Sequence, residues 1–106
     1  MKISPSHALH ALSKADSPFL NLFEHGTLSV EIYKPDKVDH QQPHSRDEVY
    51  VVVSGTGDFL NGDERTTFAP GDFLFVPAGV VHRFENFTDD FVTWVFFYGP
   101  EGGEAR

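Results

Sequence analysis

GDFLFVPAGVVHRFEN, residues 71–86, is the stretch that decides the fold. Its apolar run ends at Pro77, and a second apolar run begins after Gly79. The opening glycine follows a proline and can take the positive φ of a type II turn. Pro77 and Gly79 together make a sharp reversal that places His82 at the start of a new strand. This stretch therefore predicts two short strands joined by a tight turn.

The rest of the chain repeats this pattern of short apolar runs between turn residues. Apolar and polar residues alternate along residues 28–33, which is typical of a half-buried strand. Asn61-Gly62 separates two short runs, and that dipeptide is a strong hairpin signal. We predict strands over residues 28–33, 48–54, 58–60, 66–68, 72–76, 80–87 and 91–98. Their spacing of about 8–12 residues favours an all-β antiparallel sandwich or barrel.

The length, charge and composition limit the function classes. A chain of 106 residues has room for one domain, because a compact domain typically takes about 100–200 residues. The formal net charge of -8 repels phosphate backbones and anionic lipids, so we expect neither nucleic acid nor a membrane as partner. The lack of cysteine excludes disulfides and thiolate ligands. We see neither a secretory signal nor a membrane-spanning apolar run, which predicts a cytoplasmic protein.

We divide the chain into an arm, a barrel and a tail. Residues 1–26 mix serine, proline and histidine with scattered leucines, which predicts a short irregular arm with at most one or two helical turns that packs on the barrel or on a partner. Residues 27–99 form the predicted barrel. Residues 100–106 are polar and rich in glycine, so we expect a disordered tail. Two polar runs, 36–39 and 88–90, are predicted solvated turns.

Three predicted strands are apolar on both faces, at residues 49–53, 73–76 and 94–98. A sheet with one face in water would alternate apolar and polar residues instead. Something therefore covers the outside of the barrel as well as filling its inside. The candidates are the N-terminal arm, a second sheet or another copy of the chain, and we predict a homodimer.

Polar residues at alternate positions, whose side chains would share one face of a strand, indicate a metal site. His40, Gln42 and His44 alternate along one segment, and side chains two residues apart on a strand share a face. Glu48 begins the next strand in its buried-facing row, where a carboxylate is costly unless it is paired or bound to a metal. His82 lies on a later strand. Two imidazoles and a carboxylate that converge from different strands match the facial arrangement that holds a divalent transition metal.

The quoted stretch resembles the second sequence motif of the cupin family. That motif asks for glycine, five residues, proline, one residue, glycine, two residues, histidine, three residues and asparagine, and residues 71–86 satisfy every position. The resemblance covers about residues 27–99, and the chain is similar to small single-domain cupins of the conserved-barrel type. It implies a double-stranded β-helix, which is a jelly-roll barrel, with metal ligands aimed into its lumen.

The first cupin motif is matched only in its second half. His44, Glu48 and Gly55 have the spacing of its second histidine, its glutamate and its closing glycine. Asp36 and Gln42 stand where the motif has its opening glycine and its first histidine. This departure leaves the identity of a fourth metal ligand open, but it does not affect the other three ligand positions of the two motifs.

By position, the resemblance implies His44, Glu48 and His82 as metal ligands. Gln42 replaces the usual histidine, and the phosphomannose isomerases of the family use a glutamine there, so its amide oxygen is an implied fourth ligand. His40, two residues earlier, is the rival fourth ligand if the strand register shifts. The implied cofactor is one divalent transition metal, with Fe, Zn, Ni and Mn all open.

The resemblance implies a metal-dependent enzyme that acts on a small organic molecule. Fe(II) would give a dioxygenase, whereas Zn, Mn or Ni would act as a Lewis acid, as in isomerases and decarboxylases. The alternative is a non-catalytic module that binds a small ligand or a metal, such as a sensor. Tyr50 is the best candidate for a catalytic base, because it shares the parity of Glu48. Five aromatic residues are expected to line the pocket: Phe75, Phe84, Trp94, Phe96 and Tyr98.

Overall fold

The structure is a computed structural model, and it describes residues 1–105. These residues form one helix and eight strands, in the order α1 (Pro5–Ser13), β1 (Phe19–His25), β2 (Leu28–Tyr33), β3 (Asp47–Ser54), β4 (Gly57–Asn61), β5 (Glu64–Phe68), β6 (Phe73–Val76), β7 (His82–Glu85) and β8 (Val92–Tyr98). The predicted all-β class is confirmed. No helix among the described residues is long and apolar enough to cross a membrane.

The strands form two antiparallel sheets. The first sheet has the order β1-β2-β8-β3-β6, and the second has the order β5-β4-β7. One interior cluster takes side chains from both sheets, including Tyr50 of β3, Val95 of β8, Phe59 of β4 and Phe84 of β7. The two sheets therefore pack face to face around a shared core, as in the predicted jelly-roll barrel.

Alternation along the strands decides which residues enter the barrel. Glu48, Tyr50 and Val52 of β3 are buried, whereas the valines between them are half-buried. His82 and Phe84 of β7 are buried by the same rule. Glu48 lies near the beginning of β3 and His82 is the first residue of β7. The fold brings the beginnings of these two strands together.

The N-terminal arm differs from the irregular segment that we predict. Pro5–Ser13 forms α1, and the side chain of its N-cap Ser4 accepts a backbone N–H at 3.2 Å. Phe19–His25 forms β1, which pairs with β2 at the edge of the first sheet. The register shifts between Asn21 and Phe23, so the apolar residues of β1 do not alternate. A strand with such a bulge lacks the period of two by which a sequence reveals a strand.

Helix α1 covers part of the outer face of the first sheet. Ala8 and Leu12 are buried against Ile32 of β2 and Val92 of β8. Phe73, on the edge strand β6, is 66% exposed. We propose that a second copy of the chain covers this edge, and sedimentation of the wild-type chain at micromolar concentration can check that homodimer.

Residues 100–105 are bonded to the barrel, which differs from the disordered tail that we predict. The Glu104 N–H donates to Asp47 Oδ2 at 2.9 Å, and the Ala78 N–H donates to Asp47 Oδ1 at the same distance. One buried carboxylate on β3 thus ties the tail to the turn before β7. The prediction for Arg106 lies outside the described residues.

Candidate metal centre

The Glu48 carboxylate lies in the core of the barrel. Glu48 is 0% exposed, and no backbone N–H of residues 1–105 donates to its side-chain oxygens. Removing an ionised carboxylate from water costs on the order of several kcal/mol unless a positive charge or a metal ion compensates for the lost hydration. A cation beside Glu48, either an imidazolium or a metal ion, would therefore stabilise the carboxylate.

His82 is one neighbour of that carboxylate. It is the first residue of β7, is 3% exposed, and places Nε2 at 3.1 Å from Glu48 Oε1. Its Nδ1 lies 3.0 Å from the Val80 carbonyl oxygen, which can only accept, so Nδ1 carries a proton and donates it. That hydrogen bond directs Nε2 toward Glu48 as the atom that can bind a metal.

The protonation of His82 depends on whether a metal ion lies between its imidazole and the Glu48 carboxylate. Burial lowers the pKa of His82, but the hydrogen bond and the negative charge of Glu48 outweigh burial and raise that pKa above its ordinary value. Without a metal, a proton on Nε2 therefore faces the carboxylate. A divalent cation would displace this proton and occupy the same position with a larger charge.

His44 approaches the same point from the loop before β3. Its Nε2 lies 3.9 Å from Glu48 Oε1, and its ring centroid lies 5.2 Å from that of His82. The Gly79 N–H donates to the His44 carbonyl oxygen at 2.7 Å, so the turn before β7 positions the loop. Burial lowers the pKa of His44, which keeps its imidazole neutral near pH 7, as metal ligation requires.

These three side chains are close enough together that they could hold a single divalent ion. One ligand atom from each of them lies within 4.8 Å of the others. Metal–ligand bonds of about 2.0–2.2 Å separate neighbouring ligand atoms by about 2.8–3.6 Å. The distances of 3.1 Å and 3.9 Å from Glu48 Oε1 to the two imidazole nitrogens are close to that range. The fold thus brings together the three residues that the family resemblance implies as ligands: His44, Glu48 and His82.

Gln41 presents an amide oxygen to this cluster. Its Oε1 lies 3.2 Å from His44 Nε2 and accepts a hydrogen bond from the Tyr50 hydroxyl at 2.9 Å. Amide oxygens are acceptable ligands for the harder divalent metals. Gln41 therefore places an amide oxygen directly beside one of the three side chains of the cluster, His44.

Gln42 and His40, the two fourth ligands that we predict from the sequence, are both exposed at the mouth of the adjoining cavity. The prediction assumes an extended strand, in which residues two apart share a face. Residues 34–46 contain no strand, so the alternation does not apply to them. The loop turns Gln41 inward instead, and Gln41 takes the position that we assign to Gln42.

Asp39 orients the Gln41 side chain. Its buried carboxylate accepts four hydrogen bonds of 2.6–3.0 Å, from the Tyr33 hydroxyl, the Phe84 N–H, and the backbone and side-chain N–H groups of Gln41. Because the amide nitrogen of Gln41 donates to Asp39, its amide oxygen faces the metal cluster. The sequence places Asp39 in a solvated turn, since no local pattern reveals a carboxylate that collects donors from two strands and a loop.

Tyr50 contacts the cluster as a hydrogen-bond donor. Its hydroxyl donates to Gln41 Oε1 at 2.9 Å, and the same oxygen lies 3.0 Å from His82 Nε2. Burial, and then the negative charge of Glu48, raises the pKa of Tyr50 well above its ordinary value. A phenol with a raised pKa keeps its proton at neutral pH, and in this structure that proton is donated to Gln41; the role of Tyr50 as a base stays a prediction from the sequence.

A cavity of about 430 Å³ opens beside His44. The Phe97 ring packs edge-on against the His44 ring with a centroid distance of 4.9 Å. The cavity wall combines apolar and polar side chains, among them Phe19, Tyr33, Val95, Phe97, Glu31 and His44. An organic molecule in this cavity would lie next to the metal cluster.

The five aromatic residues that we predict to line the pocket lie elsewhere. Phe84 is in the core, with its ring centroid 4.9 Å from that of Tyr50. Tyr50 pairs with Leu74 and Val95, so alternation puts the other four on the outer face of the first sheet: Phe75, Trp94, Phe96 and Tyr98. Both faces of these strands are apolar, so composition does not reveal which face is inward.

Comparison with known proteins supports one family. The model of the cupin domain family matches residues 29–98. An uncharacterized protein from Streptomyces coelicolor is 40% identical over 88 residues, which cover 81% of this chain and 84% of that protein. The solved structure of NMB1881 from Neisseria meningitidis has a TM-score of 0.73 at 21% identity, and the match covers 93% of this chain and 100% of that one.

A cupin-2 domain containing protein from Shewanella frigidimarina has a TM-score of 0.68 at 17% identity, and that match covers 92% of this chain and 95% of the other. At such low identity, the two solved structures show a shared fold. The family match extends over 70 of the 106 residues and includes all three side chains of the metal cluster. This chain therefore belongs to the cupin domain family.

Proposed function

We propose that this cupin holds one divalent transition metal ion through His44, Glu48 and His82, with the amide oxygen of Gln41 as a fourth ligand. The observation that carries the proposal is the fully buried Glu48 carboxylate, whose ion-pair neighbours among residues 1–105 are two imidazole Nε2 atoms, at 3.1 Å and 3.9 Å from Oε1. Asp39 is the contrast within the same barrel, because four donors neutralise its buried carboxylate. Glu48 has the imidazoles of His82 and His44 beside it instead of four donors, and a metal ion held by these three side chains would compensate its charge.

We further propose that this centre acts catalytically on a compact organic molecule in the cavity beside His44. The bound ion would supply Lewis-acid chemistry if it is Zn, Ni or Mn, and dioxygen chemistry if it is Fe(II). The Val80 carbonyl holds the proton on Nδ1 of His82 and thereby sets the direction of Nε2. Phe97 packs against His44 and leaves an apolar wall on the side that faces the cavity.

The metal content and turnover of protein purified without a polyhistidine tag test this proposal. We expect roughly one transition-metal ion per chain, the stoichiometry of a mononuclear site. We also expect metal-loaded protein to consume oxygen with a thiol, diketone or catechol, or to convert a carbonyl or hydroxyl substrate. Protein that neither carries nor takes up Fe, Zn, Ni or Mn contradicts the metal centre. Loaded protein that turns over nothing in such a panel favours the non-catalytic binding module.

Replacing Gln41 with leucine is expected to weaken metal binding about tenfold, because one ligand is lost while three remain. The dissociation constant is measured by competition with a chromophoric chelator. Gln42→Leu is the matched control, since it removes the same amide from the neighbouring exposed residue, and its affinity should equal that of the wild type.

Two results would contradict the role of Gln41. Equal affinity in Gln41→Leu and the wild type would show that its amide oxygen does not bind the ion. A loss confined to Gln42→Leu would return the fourth ligand to the residue that the family motif implies.

A further inference from the structure

Glu31 is a second carboxylate beside the centre, and neither the metal cluster nor the fold uses it. It lies on β2 in the inward row with Tyr33, and it lines the cavity that contains His44. Its carboxylate has no hydrogen-bond or ion-pair partner within residues 1–105. Elsewhere in the barrel, Asp58 and Glu85 both pair with Arg65, at 3.3 Å and 2.8 Å. Glu31 is thus an unpaired carboxylate that faces a cavity.

The cavity offers Glu31 little compensation. Phe19, Val95 and Phe97 contribute apolar surface. The polar lining residues, Tyr33, His40, Gln41, Gln42 and His44, make no hydrogen bond to the Glu31 carboxylate, and none of the described lining residues is lysine or arginine. Val95 is the direct cross-strand neighbour of Glu31 on β8. Burial, and then the negative charge of Glu48, raises the pKa of Glu31 above its ordinary value. A ligand that brings a donor into the cavity would relieve this lack of partners.

We propose that Glu31 determines the specificity of the cavity by selecting ligands that carry a hydroxyl or ammonium group at the end facing it. This inference rests on the proposed function, because the metal ion would hold the other end of the ligand. A donor that reaches Glu31 forms a charge-assisted hydrogen bond in an apolar wall, where such a bond is strong. A ligand with a carboxylate or phosphate at that end meets a like charge and no cationic side chain.

The ligand class follows from two groups that line the cavity, His44 of the proposed metal centre and Glu31. One end of the molecule carries an oxygen or nitrogen that can bind a metal near His44, and the other end carries a neutral or cationic donor for Glu31. Its short body packs on Phe97. A volume of about 430 Å³ suits a compact molecule of this kind, such as an amino alcohol, a polyol or a small amine.

Hydroxamates test the inference, because the hydroxamate group binds divalent metals and the rest of the molecule can be varied. The probes share one alkyl chain that ends in an ammonium, a methyl or a carboxylate group, each made with two and with three methylene groups. The protein is loaded with Co²⁺, whose visible absorption reports each new ligand. We expect the ammonium probe to bind the wild type about tenfold more tightly than the methyl probe, and the carboxylate probe to bind most weakly.

Glu31→Gln keeps the size of the side chain and removes its charge, so the preference for the ammonium end should fall to near onefold. Glu64→Gln is the matched control, because Glu64 is exposed on β5 of the other sheet, and it should keep the preference of the wild type. Equal binding of the three probes to the wild type overturns the role of Glu31 and leaves the metal centre intact. If no probe changes the Co²⁺ spectrum, the metal centre fails, and the inference that rests on it fails too.

Discussion

Replacing His82 with alanine is expected to lower the affinity for divalent transition metals at least about 100-fold, since removing even an outer partner of a ligand costs about 10–100-fold. His82 is the most tightly held of the proposed ligands. Its Nδ1 is bonded to Val80 at 3.0 Å, and its Nε2 lies 3.1 Å from Glu48. The substitution also removes the only neighbour within 3.5 Å that pairs with Glu48 among the described ion pairs. Elemental analysis and chelator competition on untagged protein measure the loss.

His25→Ala is the control for a lost imidazole, because His25 is exposed on β1, and we expect it to bind metal as the wild type does. Circular dichroism of the metal-free variants separates loss of the ligand from loss of the fold. Free imidazole can enter the space left by the His82 side chain, so its addition should restore part of the metal affinity. Equal metal content in His82→Ala and the wild type would defeat the metal centre as proposed.

Replacing Gly55 with alanine is expected to destabilise the fold by at least about 3 kcal/mol. Gly55 has a φ of +86°, and a Cβ atom there would lie 2.5 Å from Phe91 Cα and 2.8 Å from Phe91 N. Phe91 is buried in the core, so its backbone cannot retreat without disturbing the packing. In a domain of this size the midpoint of thermal unfolding should fall by more than about 10 °C.

Gly26→Ala separates the two causes of this loss. Gly26 also has a positive φ, of +58°, but a Cβ atom there would meet no atom within 4 Å. The control therefore carries only the cost of a left-handed alanine, about 1–2 kcal/mol. Melting of both variants by circular dichroism gives the difference between them. Equal losses in the two would show that close approach to Phe91 is not what requires glycine at position 55.

Local patterns were sufficient for most of the strands. The alternation over residues 28–33 coincides with β2, and the apolar run at 48–54 differs from β3 by one residue. The inward row that contains Glu48 follows from the same period of two. These predictions succeed because the pleat of a strand is a local property. When one face of a strand is buried, every second residue along the sequence is apolar. Strand β1 escapes the rule, since its bulge breaks the period.

The site residues also fall into those that local sequence predicts and those that only long-range contacts position. The spacing of the family motif identifies His44, Glu48 and His82, because each lies on a strand, or next to a turn, that the sequence defines locally. Gln41 and Asp39 lie in a loop whose path depends on donors from β2 and β7, and no residue nearby predicts that path.

By itself the sequence determined the all-β class, the boundaries of seven of the eight strands to within a few residues, and the three polar side chains that meet in the barrel. Only the tertiary structure decided which aromatic face of β8 lines the cavity, which amide approaches the cluster and which carboxylate is left without a partner. The physical reason is the range of the interactions. The period of a strand is set by adjacent peptide units, whereas burial and hydrogen-bond pairing are set by residues far apart in the chain.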